Sequence, residues 1–250
     1  VSALLHAVAV VKGGVFVLLR VALYVFGIQL LAELTATQWL RYVAAATILL
    51  AALVALRQDN LKLRLAYSTI SQLGYIVLGI LLATSAGVSG ASMHMVMHAF
   101  GKITLFFCAG AILVATQKTD ISQMRGLGHS MPFTMIAFFI GTLSIIGIPP
   151  AGGTWSKWFL LLGTLESGQL LLMVVLMAGS LLSALYLLPI PARAFFATPA
   201  AVDTEHRAVA VPTACSLAIG VTAAGCLLLF FYADAVYAMV SLFAGGNHGE

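Results

Sequence analysis

Charge is what this 250-residue chain has least of: Lys, Arg, Asp and Glu together make up 8% of it. A soluble domain carries about 25%, which for this length would be about 60 charged residues; here there are 20. So few charges cannot cover the surface of a water-soluble globule. The same scarcity, beside 62% hydrophobic residues and a mean hydropathy of +1.07, excludes an intrinsically disordered chain, which needs high charge and low hydrophobicity. Cysteine is also rare. Cys108, Cys215 and Cys226 lie in apolar runs without C-x-x-C spacing, so they read as small core residues and not as a disulfide framework or a zinc site. No Walker loop, dinucleotide fingerprint, haem C-x-x-C-H motif or iron–sulfur spacing occurs, and no Ser-His-Asp or paired-carboxylate constellation can be assembled. The expectation is a chain with titratable groups, no cofactor and no redox chemistry of its own. No signal peptide is recognisable: the chain starts at Val1 inside an apolar run, without a charged flank or cleavage site, and reads as cut from something longer.

What is present is apolar sequence in long runs. At about 20 residues per crossing, the runs predict an all-α, polytopic membrane domain over residues 1–250, without internal repeats. Seven spans are expected, near 2–26, 38–57, 66–84, 91–115, 132–165, 169–192 and 210–231. The fifth is too long to be one regular helix. It contains Ile148-Pro149-Pro150-Ala151-Gly152-Gly153; the prolines remove two backbone donors, and Pro150 pushes Pro149 out of the helical region. The segment reads as one crossing broken into two half-helices, against a rival reading of two short spans joined by a tight turn. Loop charge separates the two. With one broken crossing, alternate connections hold Arg57, Lys62, Arg64, Lys118, Arg125, Arg193 and Arg207, and the others hold no Lys or Arg. The positive-inside rule then favours the broken helix and places loops 57–65, 116–131 and 193–209 in the cytoplasm of a multi-pass protein of the cell (inner) membrane. Trp39, Tyr42, Tyr67 and Tyr186 fall near span ends, as interfacial anchors do. The 197–209 segment is the one clear polar linker.

Ionisable groups at membrane depth cost at least about 2.5–3.5 kcal/mol each, so each needs a reason. His94, His98 and Lys102 are spaced i, i+4, i+8 and share one helix face over about 12 Å. Histidine exchanges protons near neutral pH, so such a stripe can pass a proton along. The alternatives are a zinc site on the two histidines and a pair of structural core histidines. Lys12 is mid-span in Val10-Val11-Lys12-Gly13-Gly14, with His6 upstream on a different face; its bland reading is a structural pair with a carboxylate elsewhere. Lys157 follows the proline break, with Thr154 and Ser156 beside it. Breaks at membrane depth often mark ion sites; the alternative is that Lys157 only caps the break. Lys62 and Arg64 open the third span, as positive-inside anchors or as a cytoplasmic entrance for protons.

Several motifs resemble the antiporter-like, proton-translocating subunits of respiratory complex I, Mrp-type Na+/H+ antiporters and membrane-bound hydrogenases. They are Val1–Ala7, Leu61-Lys62 with Leu65–Tyr75, His98-Ala99-Phe100-Gly101-Lys102, Met124–Gly128, Met131-Pro132, Gly147-Ile148-Pro149-Pro150 and Ser156-Lys157-Trp158. The resemblance covers roughly residues 1–195, and the last two motifs look closest to the Mrp D-type subunit. It implies a fold of fourteen helices containing two inverted five-helix repeats, each with a broken helix, of which this chain resembles helices eight to fourteen. It further implies that Lys12 is the central connecting lysine, that His94, His98 and Lys102 are the conducting helix of the second half-channel, that Lys157 is the terminal lysine at the second break, and that Lys62 is a basic residue at a cytoplasmic helix end. The glutamate and lysine that drive the family's first half-channel fall upstream of Val1, and Gly153-Thr154 replaces a Gly-Phe often found after the prolines. The implied function is proton, or Na+/H+, translocation within a multi-subunit antiporter or NADH:quinone oxidoreductase-type complex. Its partners would be other membrane subunits, lipid and protons, with Na+ a further candidate. The competing classes are a quinone-binding redox subunit and a non-conducting structural subunit.

Overall fold

The computed structural model describes residues 10–197 and 211–244; the motif Val1–Ala7, His6, Arg207 and nearly all of the 197–209 linker lie outside them. Among the described residues the chain is a bundle of helices, and the nearest approach to a strand is an isolated bridge between Asn60 and Asp120. The helices are α1 (Val10–Glu33), α2 (Thr35–Arg57), α3 (Leu61–Leu81), α4 (Ser85–Thr116), α5 (Leu127–Ser130), α6 (Pro132–Ile146), α7 (Gly153–Glu166), α8 (Leu170–Leu187), α9 (Pro189–Phe196), α10 (Thr213–Phe231) and α11 (Ala233–Ala244). Five helical stretches are long and apolar enough to cross a membrane: α1, α2, α4, α8 continued by α9, and α10. Apolar side chains face outward along these helices, among them Leu50, Leu170, Leu181, Leu217 and Val221, each more than 60% exposed. In water such a surface would aggregate; in hydrocarbon it is the favourable one. The protein is a transmembrane helical bundle.

Local chemistry sets most element ends. Asn60 caps α3 by accepting from the Leu63 amide, and Thr84 caps α4 by accepting from the Gly87 amide, each satisfying a donor left free at a helix start. Pro132 opens α6, where its missing N–H costs nothing. Gly147 closes it in the left-handed region at φ +86°, where a glycine has no steric penalty. Some boundaries differ from expectation. α1 continues to Glu33, through a wide π-helical stretch at Val21–Phe26, so the connection to α2 is the single residue Leu34. α4 starts at Ser85 and not at 91, because Ser85–Gly90 is apolar or small enough to continue the helix from its Thr84 cap. α11 was not foreseen; it packs Ala233 and Val236 beside Met93 and Met97 of α4.

The segment predicted as the fifth span folds as two helices, α6 and α7. α6 and α7 have 15 and 14 residues, so each is only about 21–23 Å long at 1.5 Å per residue, too short for the roughly 30 Å hydrocarbon core. Their contacts run in one sequence along α4. An ideal Cβ on Gly163 would lie 2.6 Å from the Gly87 backbone, one on Gly90 2.7 Å from the Leu160 amide, one on Gly101 2.9 Å from Ile145, and one on Gly141 3.2 Å from Leu105. As α4 advances from 87 to 105, its partner retreats from 163 to 141. The two pieces therefore form a single path antiparallel to α4. At the break, the Gly152 amide donates to the Cys226 carbonyl of α10 at 2.9 Å, and the Trp155 indole donates to the Phe230 carbonyl at 3.0 Å. Helix α10 thus takes up the Gly152 amide that the break leaves free and anchors the start of α7 through Trp155.

The basic connections gather at one end. The Leu61 amide donates to Thr119 and the Ile121 amide to Asp59, while Ser122 donates its hydroxyl to Asp59 at 2.7 Å. His129 contacts the Phe195 carbonyl, and Gly128 abuts Phe195. At the opposite end, buried Arg41 donates to the Leu81 carbonyl at 2.6 Å and to Leu82, and the Ala86 amide donates to Glu166. Of the four expected anchors, Trp39 and Tyr42 are exposed and Tyr67 is half-buried, but Tyr186 is fully buried. Tyr186 is not an interfacial anchor, because its hydroxyl has buried partners.

Candidate functional site

The interior of the bundle is polar where a soluble protein would be oily. Lys12, His94, His98, Lys102 and Lys157 are all buried, between 0% and 8% exposed. The predicted stripe lies on α4 facing α3, α7 and α8. The Lys102 ammonium donates to Ser68 Oγ at 2.7 Å and to the Leu65 carbonyl at 3.0 Å. Ser68 in turn accepts from Tyr186 Oη at 2.9 Å, and Tyr186 Oη lies 3.2 Å from Ser183 Oγ. Gln72 Nε2 donates to Ser183 at 3.2 Å, and Gln72 Oε1 lies 3.0 Å from His94 Nε2. His94 Nδ1 lies 2.8 Å from Ser156 Oγ. Seven side chains from four helices thus join Lys102 to the first turn after the helix break.

Lys157 is placed beside this chain. Its ammonium reaches back across the break to the Ile146 carbonyl at 2.9 Å and forward to Ser180 Oγ of α8 at 2.9 Å. It also lies 4.9 Å from the centre of the Tyr75 ring, a cation–π distance. A cavity of about 280 Å³, lined by Tyr75, Ile146, Gly147, Lys157, Trp158 and Ser180 among others, borders the lysine. Gly147 is required here: besides its positive φ, a Cβ would meet the Lys157 side chain at 2.8 Å. Pro149, Pro150 and Gly152 lie between α6 and α7, and Gly153 opens α7, where a Cβ would collide with the Ser144 carbonyl.

His98 differs from its neighbours. Its ring stacks on His94 with centroids 5.8 Å apart, yet neither ring nitrogen has a hydrogen-bond partner among the described residues. An unsatisfied buried polar atom costs about 1–3 kcal/mol. Lys62 is exposed. Arg64 is half-buried and fully engaged, donating to the Gln58 carbonyl at 2.7 Å, the Tyr186 carbonyl at 3.0 Å and the Leu56 carbonyl at 3.5 Å. It ties the ends of α2 and α8 together one turn from Ser68.

Reading the sequence for charges missed Ser68, Gln72, Ser183 and Tyr186. A signal was present: Ser68, Gln72 and Tyr75 are spaced i, i+4, i+7 in an apolar helix, and Ser180, Ser183 and Tyr186 i, i+3, i+6. No Asp or Glu is buried among the described residues, and no group of three His, Cys, Asp or Glu could hold a metal there.

Residues 1–183 match the family described as NADH:quinone oxidoreductase/Mrp antiporter, transmembrane. The chain belongs to this family. Among its antiporter-family relatives, NADH-quinone oxidoreductase subunit N of Desulforudis audaxviator is 43% identical over 149 residues, covering 60% of this chain and 30% of the relative. Subunit L of Rickettsia bellii is 38% identical over 186 residues, covering 74% of this chain and 28% of the relative. The chain therefore spans less than a third of these relatives. Two solved structures share the fold of this antiporter-family chain. A chain of the Mrp complex from Dietzia sp. superimposes with a TM-score of 0.84 at 22% identity, over 94% of this chain and 51% of that one. A chain of respiratory complex I from Thermus thermophilus does so with 0.77 at 22%, over 94% and 50%.

Proposed function

We propose that this chain carries protons through the membrane as part of a multi-subunit complex of the NADH-quinone oxidoreductase or Mrp antiporter type, with the basic loops on the cytoplasmic side and seven crossings in the bundle. The observation that carries the reading is the buried row of Lys102, His98 and His94 on one face of α4, leading to the broken helix at Ser156-Lys157. Three lysines and two histidines are buried at a cost, and hydroxyls and carbonyls of neighbouring helices hold Lys102, His94 and Lys157 in place. The complex membership rests on the family and on what its named relatives are.

The geometry favours a definite route. Gln72 interrupts the hydroxyl chain, because an amide nitrogen only donates and its oxygen only accepts; a proton cannot hop through it without rearranging the amide. The hydroxyl chain therefore holds Lys102 and His94 in place. Transfer between them runs over His98, which lies midway and has both nitrogens free to exchange a proton with water. Lys12, whose charge reaches His94, His98 and Lys102, and Lys157 are the groups between which the charge is shared, since coupling is strong where the dielectric is low. Lys62 and Arg64 stand at the end where protons would enter, Arg64 also clamping α8. The cation these residues suit is the proton: five buried basic side chains can each bind and release one, and no buried carboxylate stands among the described residues. The test is Lys102→Ala and Lys157→Ala in the full-length protein, with proton uptake measured in vesicles. Loss of uptake in assembled complexes supports the reading; unchanged uptake with normal assembly overturns it.

A further inference from the structure

We propose that Ser156 is a two-position hydroxyl switch that reads the protonation state of His94 and passes it to the first turn of α7, beside Lys157, on the reading given above that this path carries protons. His94 is 1% exposed, and its two polar contacts are Gln72 Oε1 at Nε2 and Ser156 Oγ at Nδ1. The Ser156 oxygen, fully buried, is also 3.0 Å from the Gly153 carbonyl. A serine has one hydrogen, so it serves either the imidazole or the carbonyl.

Gln72 settles which. Its NH2 group faces Ser183, whose own hydrogen is directed at the Gly179 carbonyl at 2.9 Å, so Ser183 accepts and Gln72 donates there. Gln72 therefore presents its carbonyl oxygen to His94, and Nε2 carries a hydrogen in both protonation states. When His94 is neutral, Nδ1 is bare and the Ser156 hydrogen points to it; the Gly153 carbonyl loses this bond. When His94 takes a proton, Nδ1–H donates to Ser156 Oγ, and the hydroxyl hydrogen turns to Gly153. One proton is gained or lost at Nδ1, one bond rotates, and no heavy atom needs to move. The Gly153 carbonyl belongs to the opening turn of α7, immediately after the break across which Lys157 binds the Ile146 carbonyl. A change at His94 is thus written into the hydrogen bonding of the helix end that holds Lys157.

The groups around His94 are Tyr75 of α3, its ring centroid 5.8 Å away, His98 of α4, Lys157 of α7 and Lys12 of α1, while Lys102 lies two turns further along α4, beyond His98. Of the other helices packed on α4, α6 has no titratable residue, Cys226 of α10 contacts Thr104, and on α11 Asp234 is exposed while Tyr237 stacks on Phe159.

Two measurements test the switch in the full-length protein within its membrane complex. The first is 15N NMR of histidine in the wild-type protein, with His94 assigned through its Met93 and Met95 neighbours. Neutral His94 is expected only as the Nε2–H tautomer; a neutral Nδ1–H form overturns the proposal. The second is the pH profile of proton transport in Ser156→Ala and Ser156→Thr. Charged hydrogen bonds are about twice as strong as neutral ones, so losing the hydroxyl harms protonated His94 more. The Ser156→Ala profile should move about one pH unit toward acid, about a ten-fold loss in proton affinity, and Ser156→Thr should restore it. A wild-type profile in Ser156→Ala overturns the switch. Lys157→Ala, measured alongside, separates the two ideas: if it is inactive while Ser156→Ala behaves as wild type, only the switch fails; if it too transports normally, the proton path fails. Should Ser156→Ala not assemble, the wild-type tautomer decides.

Discussion

Replacing His98 by Leu should separate stability from transport. The wild-type imidazole is 2% exposed and leaves both nitrogens without a protein partner among the described residues. Each such atom costs about 1–3 kcal/mol, while a change to an apolar side chain of similar size costs less than about 1.5 kcal/mol. While no water serves them the two atoms together cost about 2–6 kcal/mol, so after the swap the balance predicts a variant at least as stable as wild type, by about 0.5 kcal/mol or more. Transport should respond in the opposite direction. Lys102 and His94 are eight residues apart on α4, about 12 Å along its axis at 1.5 Å per residue. With His98 midway, each step is about 6 Å, which one water bridges with two hydrogen bonds of about 2.8 Å each. Without it, the span needs an ordered file of several waters against an apolar wall. A loss of at least about ten-fold in rate corresponds to only about 1.4 kcal/mol on the barrier, a modest demand for doubling the gap. The assay is proton uptake by vesicles containing the full-length complex, with assembly and heat resistance followed on native gels. Wild-type uptake in an assembled His98→Leu complex would refute the route over His98. A clear drop in heat resistance would refute the argument that this imidazole is a burden on the fold.

Other outcomes follow from the same geometry. Lys157→Ala removes the bond to Ile146 across the break and the one to Ser180, and should abolish proton uptake while the complex still assembles; Lys157→Met, which keeps the bulk, should be equally inactive. Gly163→Val puts side-chain atoms where an ideal Cβ is already 2.6 Å from the Gly87 backbone, so α4 and α7 must separate; the complex should fail to accumulate in membranes, as shown by immunoblot. Arg64→Ala loses three carbonyl contacts at the partly exposed ends of α2 and α8 and should lower stability by about 1–3 kcal/mol, seen as a lower temperature of complex dissociation, with Arg64→Lys in between. Proton uptake through wild-type complexes should not depend on Na+ concentration to the extent that this chain sets the ion, since its buried site lacks a carboxylate; a steep Na+ dependence lost on mutating Lys102 or His94 would contradict that.

How much could be read in advance follows from the range of each interaction. The membrane class, the helical fold and the break at Pro149-Pro150 are local or compositional properties. A run of apolar residues is long enough or it is not, and two prolines remove two donors wherever they are placed. The shared face of His94, His98 and Lys102 is equally local, because a helix repeats every 3.6 residues. Even the alternation of basic loops needs only counting, and the contacts of Asp59 with Ser122 and of Gly128 with Phe195 bring those loops to one end.

The partners of the stripe were not legible that way. Ser68, Ser183 and Tyr186 are residue types that occur throughout apolar helices for unrelated reasons, and Tyr186 looked like an interfacial anchor. What makes them partners is the register of α3, α4, α7 and α8, which depends on how closely backbones approach at Gly87, Gly90 and Gly163. A shift of one helical turn, about 5.4 Å, would bring different atoms opposite His94 and leave every residue's local preference unchanged. The amino-acid sequence alone determined that Lys12, His94, His98, Lys102 and Lys157 lie inside apolar runs and that the three on α4 share one face, while the burial of Arg41 came only with the fold. Only the tertiary packing decided that His94 is held between Gln72 and Ser156, that Lys157 reaches back across the break, and that His98 is left open, because hydrogen bonds between helices extend only about 3 Å and their making depends on inter-helix distances that no local pattern encodes.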